Sequence, residues 1–199
     1  MAVIPGFTEL ECVNKMLLLL GEAPVVTLDD LTFAEASLAR QVLQEDSVSI
    51  QQQGFYWNTL NLTLQPDISG YIYLPEGTLR MDPVDKTSYY IKRGNRLYDG
   101  ENNTYVIAED VEVELIQFLS WDEVPEVVRH YITIKAARRF LTRMNPDRLK
   151  IGYTEREELD AKAAIMADEV AHNNPTIFDN WASADKLNRG TNPVRRRYY

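Results

Sequence analysis

The stretch Thr8–Leu31, TELECVNKMLLLLGEAPVVTLDDL, decides how the chain is organised. It opens with Thr8-x-x-Glu11, a capping box that satisfies the free amides at a helix start. Leu10, Val13, Leu17 and Leu20 recur at helical spacing. Gly21 then supplies the residue best suited to a left-handed helix end, and Pro24 blocks continuation. The spacing therefore predicts a helix over Glu9–Leu20, a stiff apolar connector over Ala23–Leu28, and a second helix from about Leu31 to Gln53. Met16–Leu20 is apolar at five consecutive positions, which covers every side of a turn. Such a helix is packed on several sides, either inside a bundle or against another subunit.

Working outward, the second helix carries a one-sided stripe of Leu31, Ala34, Leu38, Ala39, Val42, Leu43 and Ile50. After Gly54 the period changes to two. Leu60, Leu62 and Leu64 alternate with Asn61 and Thr63, as in a half-buried strand. Gly70–Leu74 reads as another strand and Pro75–Lys86 as a loop. Thr87–Arg93 and Arg96–Asp99 flank Gly94-Asn95, a two-residue hairpin signal. Tyr105–Ile107 and Val111–Leu119 complete the strands, with Val111, Val113 and Leu115 on one face and Glu112 and Glu114 on the other.

Helical spacing then returns. Ser120-x-x-Glu123 is a second capping box, Pro125 fits a first turn, and a helix is predicted over Val124–Met144. It has two apolar rows, so it is packed from two sides. Thr154-x-x-Glu157 opens a fourth helix whose predicted core row is Leu159, Ala163, Met166 and Val170. The expected fold class is α+β: a four-helix bundle formed by the N- and C-terminal helix pairs, with an inserted antiparallel β domain and an extended C-terminal arm. The expected boundaries are 1–54 and 120–172 for the bundle, 55–119 for the β insertion and 173–199 for the arm.

At 199 residues, 45% hydrophobic and 26% charged, the composition is that of an ordinary globular protein. Cys12 is the only cysteine, so no intrachain disulfide forms. It is expected to be a packed small side chain. No apolar run reaches the roughly 20 residues that span a bilayer, and no secretory signal opens the chain. Synthesis in a cytoplasm, with no membrane partner, is the expectation.

Net charge is −9, but Lys186, Arg189, Arg195, Arg196 and Arg197 end the chain without an acid among them. The preceding residues therefore carry −14. An acidic body repels nucleic acid and a basic end seeks acid. The arm also carries Phe178, Trp181 and Leu187, which a solvated tail does not need. Phe178, Trp181, Leu187, Arg189, Arg195, Arg196, Arg197 and Tyr198 are therefore the candidate partner-binding residues. Arg129, Lys135, Arg138, Arg139 and Arg143 make the third helix basic, and Glu155, Glu157, Glu158 and Asp160 make the start of the fourth acidic. Charge pairing between helices or subunits is the reading the acidic body favours over a nucleic-acid contact.

Chemistry-bearing motifs are sparse. The sequence has no Gly-rich phosphate loop, no H-E-x-x-H and too few cysteines for a structural zinc site. No cofactor is expected. Asp82, Asp85, Asp99, Glu101, Glu109 and Asp110 fall at turns of the β region. Two carboxyl groups at a fixed separation suffice for a glycoside hydrolase, whereas turns favour Asp and Glu for their own hydrogen bonds.

Four blocks in order resemble a known family. They are Glu9–Leu28, then Gly54–Asn58 (G-F-Y-W-N, where the family usually has G-W-x-F-N), then the Arg93, Gly94, Leu97, Tyr98, Asp99 hairpin. The last is Trp121–Glu126, followed by Arg129, Tyr131, Ile132, Arg139 and Phe140. Together they are similar to the tail tubular protein A family of T7-like podoviruses, the head-to-tail adaptors or connectors. The resemblance covers about Glu9–Val170 and does not extend beyond Asn173. It implies a structural protein of the virion tail, made in the host cytoplasm, with no catalytic site. It further implies a dodecameric ring between the portal and the tail nozzle (tail tubular protein B), with double-stranded DNA passing through the lumen without sequence-specific binding. The helical part and arm would face the portal, and the β domain the neighbours and nozzle. The competing expectations are a virion-associated glycan hydrolase using paired β-domain carboxylates, and a DNA-binding accessory protein using Arg195–Arg197.

Overall fold

The computed structural model describes residues 8–29, 33–85, 87–145 and 153–173. It is mixed α+β, with four helices and antiparallel sheets. In chain order these are α1 (Glu9–Leu20), α2 (Ala34–Gln51), β1 (Thr59–Leu64), β2 (Thr78–Pro83), β3 (Tyr90–Arg93), β4 (Arg96–Asp99), β5 (Val111–Gln117), a 3-10 turn (Trp121–Glu123), α3 (Glu126–Met144) and α4 (Glu155–Asn173).

Helix α1 has the ends its sequence specifies. Thr8 and Glu11 form both bonds of the capping box, and Gly21 closes the helix at φ 87°. The connector is then held at Val25, where the Asn14 side chain accepts from Val25 N–H at 2.8 Å and donates to Val25 C=O at 2.9 Å, and at Leu28, whose C=O accepts from Arg40 at 3.1 Å. Helix α2 starts at Ala34, later than expected, with no side-chain cap at Phe33. Ala34 is exposed and Ala36 is buried in its place.

Packing centres on α3, which contacts α1, α2 and α4. Its buried positions run right round the helix: Val128, Tyr131, Ile132, Thr133, Ile134, Ala136, Ala137, Phe140 and Leu141. Ala136 and Ala137 let neighbours approach closely. The second capping box, Ser120 with Glu123, closes the 3-10 turn and not α3, which begins after Pro125. On α4 the buried residues are Ala161 and Ile165, against α3. The row Leu159, Ala163, Met166, Val170 faces outward, with Leu159 65% and Val170 58% exposed. The expectation of a core row there is corrected. Two apolar rows occupy the helix, and the smaller one fits the surface α3 offers.

The strands enclose a second core of Leu64, Ile72, Leu74, Met81, Leu97, Ile107, Val111, Val113 and Leu115. One sheet has the order β1-β5-β2 and the other is the β3-β4 hairpin. β5 alternates as expected, with Val111, Val113 and Leu115 buried and Glu112 exposed. The hairpin turns at Gly94, which takes φ 65°. Three expectations change. Pro75–Lys86 is not a loop throughout, because β2 lies within it and pairs with β5. A register shift between Thr78 and Arg80 breaks its alternation, and Pro83 is tolerated at the end of an edge strand. Gly70–Leu74 forms no regular strand: it joins β4 through a bridge of Tyr73 to Arg96. Tyr105–Ile107 is likewise irregular.

The chain leaves the helices after α2 and re-enters after β5, and two buried amides tie these crossings together. Gln51 accepts from Leu119 N–H at 2.7 Å and donates to Leu119 C=O at 3.1 Å and to Ser47 Oγ at 3.0 Å. Asn58 donates to Gln51 C=O at 2.9 Å and Gln117 C=O at 3.1 Å, and accepts from Phe55 N–H at 2.8 Å. Between them Gly54 takes φ 82°, where an added Cβ would lie 2.4 Å from Ile116 Cδ1.

Truncating either amide leaves buried or part-buried backbone groups without their partners. Gln51→Ala and Asn58→Ala should each lower stability by about 2–3 kcal/mol, seen as a lower urea midpoint at unchanged slope. Gln52→Ala, exposed on the same turn, should change it by less than about 0.5 kcal/mol.

Candidate functional site

Two acids of the β region, Asp85 and Asp99, serve their own turns. Asp99 accepts from the N–H groups of Asn102 and Glu101 and from the Asn102 side chain, and these bonds hold its carboxyl below the usual range. Asp85 is held low by the Thr87 N–H and hydroxyl. Asp82 pairs with Arg80, Glu109 accepts from the Tyr90 hydroxyl at 3.3 Å, and Asp110 accepts from Gln65. A glycosidase's acid partner requires a raised carboxyl. Asp85 and Asp99 are moved the opposite way and do not fit that role, although Asp85, Glu109 and Asp110 share an open cavity of about 370 Å³. Among the described residues, no cluster of three or more His, Cys, Asp or Glu is placed to hold a metal ion. No helix among them is long and apolar enough to cross a membrane.

Cys12 is the packed side chain its position implied. It lies wholly buried against α3, with the Thr133 hydroxyl 3.0 Å from its sulfur. Burial pushes its thiol up to about 11.

Lys135, Arg138, Arg139 and Arg143 of α3 are paired with acids of neighbouring helices, whereas Arg129 is in no described ion pair and its buried Nε has no hydrogen bond. Arg138 pairs with Glu155 and Glu158 of α4. Arg139 reaches across to α2, with Glu45 and Asp46 each at 2.8 Å, and Arg143 joins Glu45 at 3.4 Å. Lys135 lies 3.9 Å from Asp46. Asp46 is almost fully buried, and its second oxygen has no hydrogen bond. Charge pairing between helices is thus what these residues do, and α2 supplies half of the acids, a contribution the third and fourth helices alone did not suggest.

Three open surfaces among the described residues are apolar. The outer row of α4 is one such surface. A second is the elbow between α1 and α2, where Leu18, Val26 and Phe33 are exposed beside a cavity of about 130 Å³ lined by Leu17, Pro24, Val25 and Phe33. A third is β1, whose Leu60 and Leu62 are 40% and 38% exposed although they share a face with buried Val113 and Leu115. Sequence periodicity placed these leucines in a half-buried strand but could not show that the strand is an edge. The predicted partner-binding residues Phe178, Trp181, Leu187, Arg189, Arg195, Arg196, Arg197 and Tyr198 all lie outside the described residues.

An α+β body with several open apolar surfaces has the features of a chain that packs against others. The model of the Tail tubular protein family matches residues 10–175, and the chain belongs to that family. It is therefore a structural component of a bacteriophage tail. Tail tubular protein A of Klebsiella phage KP34 is 24% identical over 151 residues, spanning 75% of this chain and 81% of that protein.

Two outcomes follow. Met166→Asp and Leu159→Asp should each leave the stability of the isolated chain within about 0.5 kcal/mol of the parent, whereas Ile165→Ala should cost about 2–4 kcal/mol, both read from urea unfolding. Cys12 should resist iodoacetamide at pH 8 in the folded chain and react fully once urea unfolds it, as followed by intact mass.

Proposed function

We propose that this chain is the head-to-tail adaptor of its virion: a ring-forming protein seated between the portal and the tail nozzle, and lining the channel through which DNA is ejected. Family membership carries this reading. The apolar row on α4, the elbow and the β1 edge support it, because a subunit in a closed ring needs two different complementary surfaces, joined head to tail. The ring is dodecameric in this proposal. Residues 1–54 and 120–172 act as its helical body, residues 55–119 as the insertion facing neighbours and the nozzle, and residues 173–199 as an arm. Phe178, Trp181, Leu187, Arg189, Arg195, Arg196, Arg197 and Tyr198 are the arm's contacts with the portal or a neighbouring subunit. A net charge of −9 suits a lumen through which DNA slides without sequence-specific binding, since like charges repel.

Co-sedimentation with the portal ring of the same virus tests the proposal. The full chain should bind stoichiometrically, and a chain truncated after Asn173 should not. Binding by both would move the portal contact to the helical body and overturn the arm's role. Binding by neither would overturn the adaptor role.

A further inference from the structure

The outer edge of β1 is unpaired among the described residues. β5 lies on one side of β1 and, among the described residues, no strand lies on the other. The Gln117 N–H donates to Asn58 C=O at 2.9 Å. In an antiparallel ladder bonded and non-bonded pairs alternate, so Leu60, Leu62 and Leu64 exchange bonds with β5. Thr59, Asn61 and Thr63 then direct three N–H and three C=O groups outward, and no described residue bonds them. Strand edges are normally blunted by charge, proline or a bulge. Thr59–Leu64 (TLNLTL) has no charge or proline, and its pairing with β5 is unbroken.

The two faces beside this edge differ. One carries the partly exposed Leu60 and Leu62. On the other, Asn61 lies opposite Glu114 and Thr63 opposite Glu112. Those short polar side chains leave both carboxylates within reach of long basic side chains on an added strand. Such a strand would carry basic residues two apart on one face, with apolar or aromatic residues on the other.

In Val194–Tyr199 (VRRRYY), the chain's own end, alternation groups Arg195, Arg197 and Tyr199 on one face, which puts two basic residues two apart, and Val194, Arg196 and Tyr198 on the other, where an apolar and an aromatic residue flank Arg196. The end also starts from the right place. Helix α4 finishes beside Tyr56, which stacks on His172 at 4.1 Å and donates its N–H to Glu169 at 3.1 Å, three residues before β1 begins. The residues between Asn173 and Val194 span up to about 65 Å when extended. Tethering at that length gives an effective concentration on the order of millimolar, which favours the chain's own end over a second copy's in dilute solution.

We propose that the outer edge of β1 is an acceptor site for a basic β-strand, and that Val194–Tyr199 of the same chain occupies it before assembly. The contact is independent of the adaptor role, since it is a property of the isolated chain.

Amide exchange followed by NMR on the full chain tests it, against the full chain carrying Arg195→Glu and Arg197→Glu. Thr59, Asn61 and Thr63 should exchange about tenfold faster in the variant, while Leu60 and Leu62, bonded to β5, stay unchanged. Adding Glu112→Arg and Glu114→Arg to that variant should restore the protection. Equal exchange at Thr59, Asn61 and Thr63 in parent and variant would overturn the proposal. Protection that rises with protein concentration would also overturn it, by giving the site to another copy's end.

Discussion

Two side-chain amides set the relation between the halves of this molecule. Gln51 closes both backbone groups of Leu119, and Asn58 closes the carbonyls of Gln51 and Gln117. The chain crosses between helix and sheet twice, and each crossing exposes backbone groups that neither a helix ladder nor a sheet ladder can satisfy. A buried amide suits this task because it donates and accepts at once. Gly54 lets the first crossing turn tightly enough for Ile116 to pack against it. Without that joint the helical core and the strand core would each remain, but their orientation would not be fixed.

Helix α3 plays the corresponding part within the helical core. It has little solvent-facing surface, and Arg138 and Arg139 are matched by acids on the helices packed against it. Asp46 shows the cost. It is buried with Arg139 and Lys135 beside it and one oxygen unbonded. Such a pair contributes little net stability compared with an apolar pair. It does restrict how α2 lies on α3, since a sliding of one helix past the other would leave a buried charge alone.

The parts of the fold legible from sequence are those fixed by local chemistry. Thr8 with Glu11, Ser120 with Glu123 and Thr154 with Glu157 all make capping contacts, and Gly94-Asn95 makes the hairpin turn. What was not legible depends on distant neighbours. Strand β2 exists because β5 offers it an edge, while its own bulge and Pro83 hide the period. Helix α4 carries apolar residues on two sides, and periodicity ranks the larger row first. Only the surface of α3 decides that Ala161 and Ile165 go inward. The acids of the β turns were visible as a cluster, but their tasks became visible only with their hydrogen bonds.

That inversion on α4 bears on what the protein is for. A lone globular chain gains by turning its largest apolar row inward, since each fully buried leucine or valine contributes about 1.5–3 kcal/mol. Here Leu159, Met166 and Val170 stay outside, Leu60 and Leu62 lie half open at a strand edge, and Leu18, Val26 and Phe33 crowd the elbow. Single exposed apolar residues need no explanation, but three separate groupings on one small body differ from that. They lie on different elements, one on the last helix, one on the sheet and one at the first helix turn. A component of a phage tail has neighbours against which such surfaces can be buried. Burial forgone in the isolated chain is then available at assembly, which makes the free energy of the finished tail depend on every contact being made.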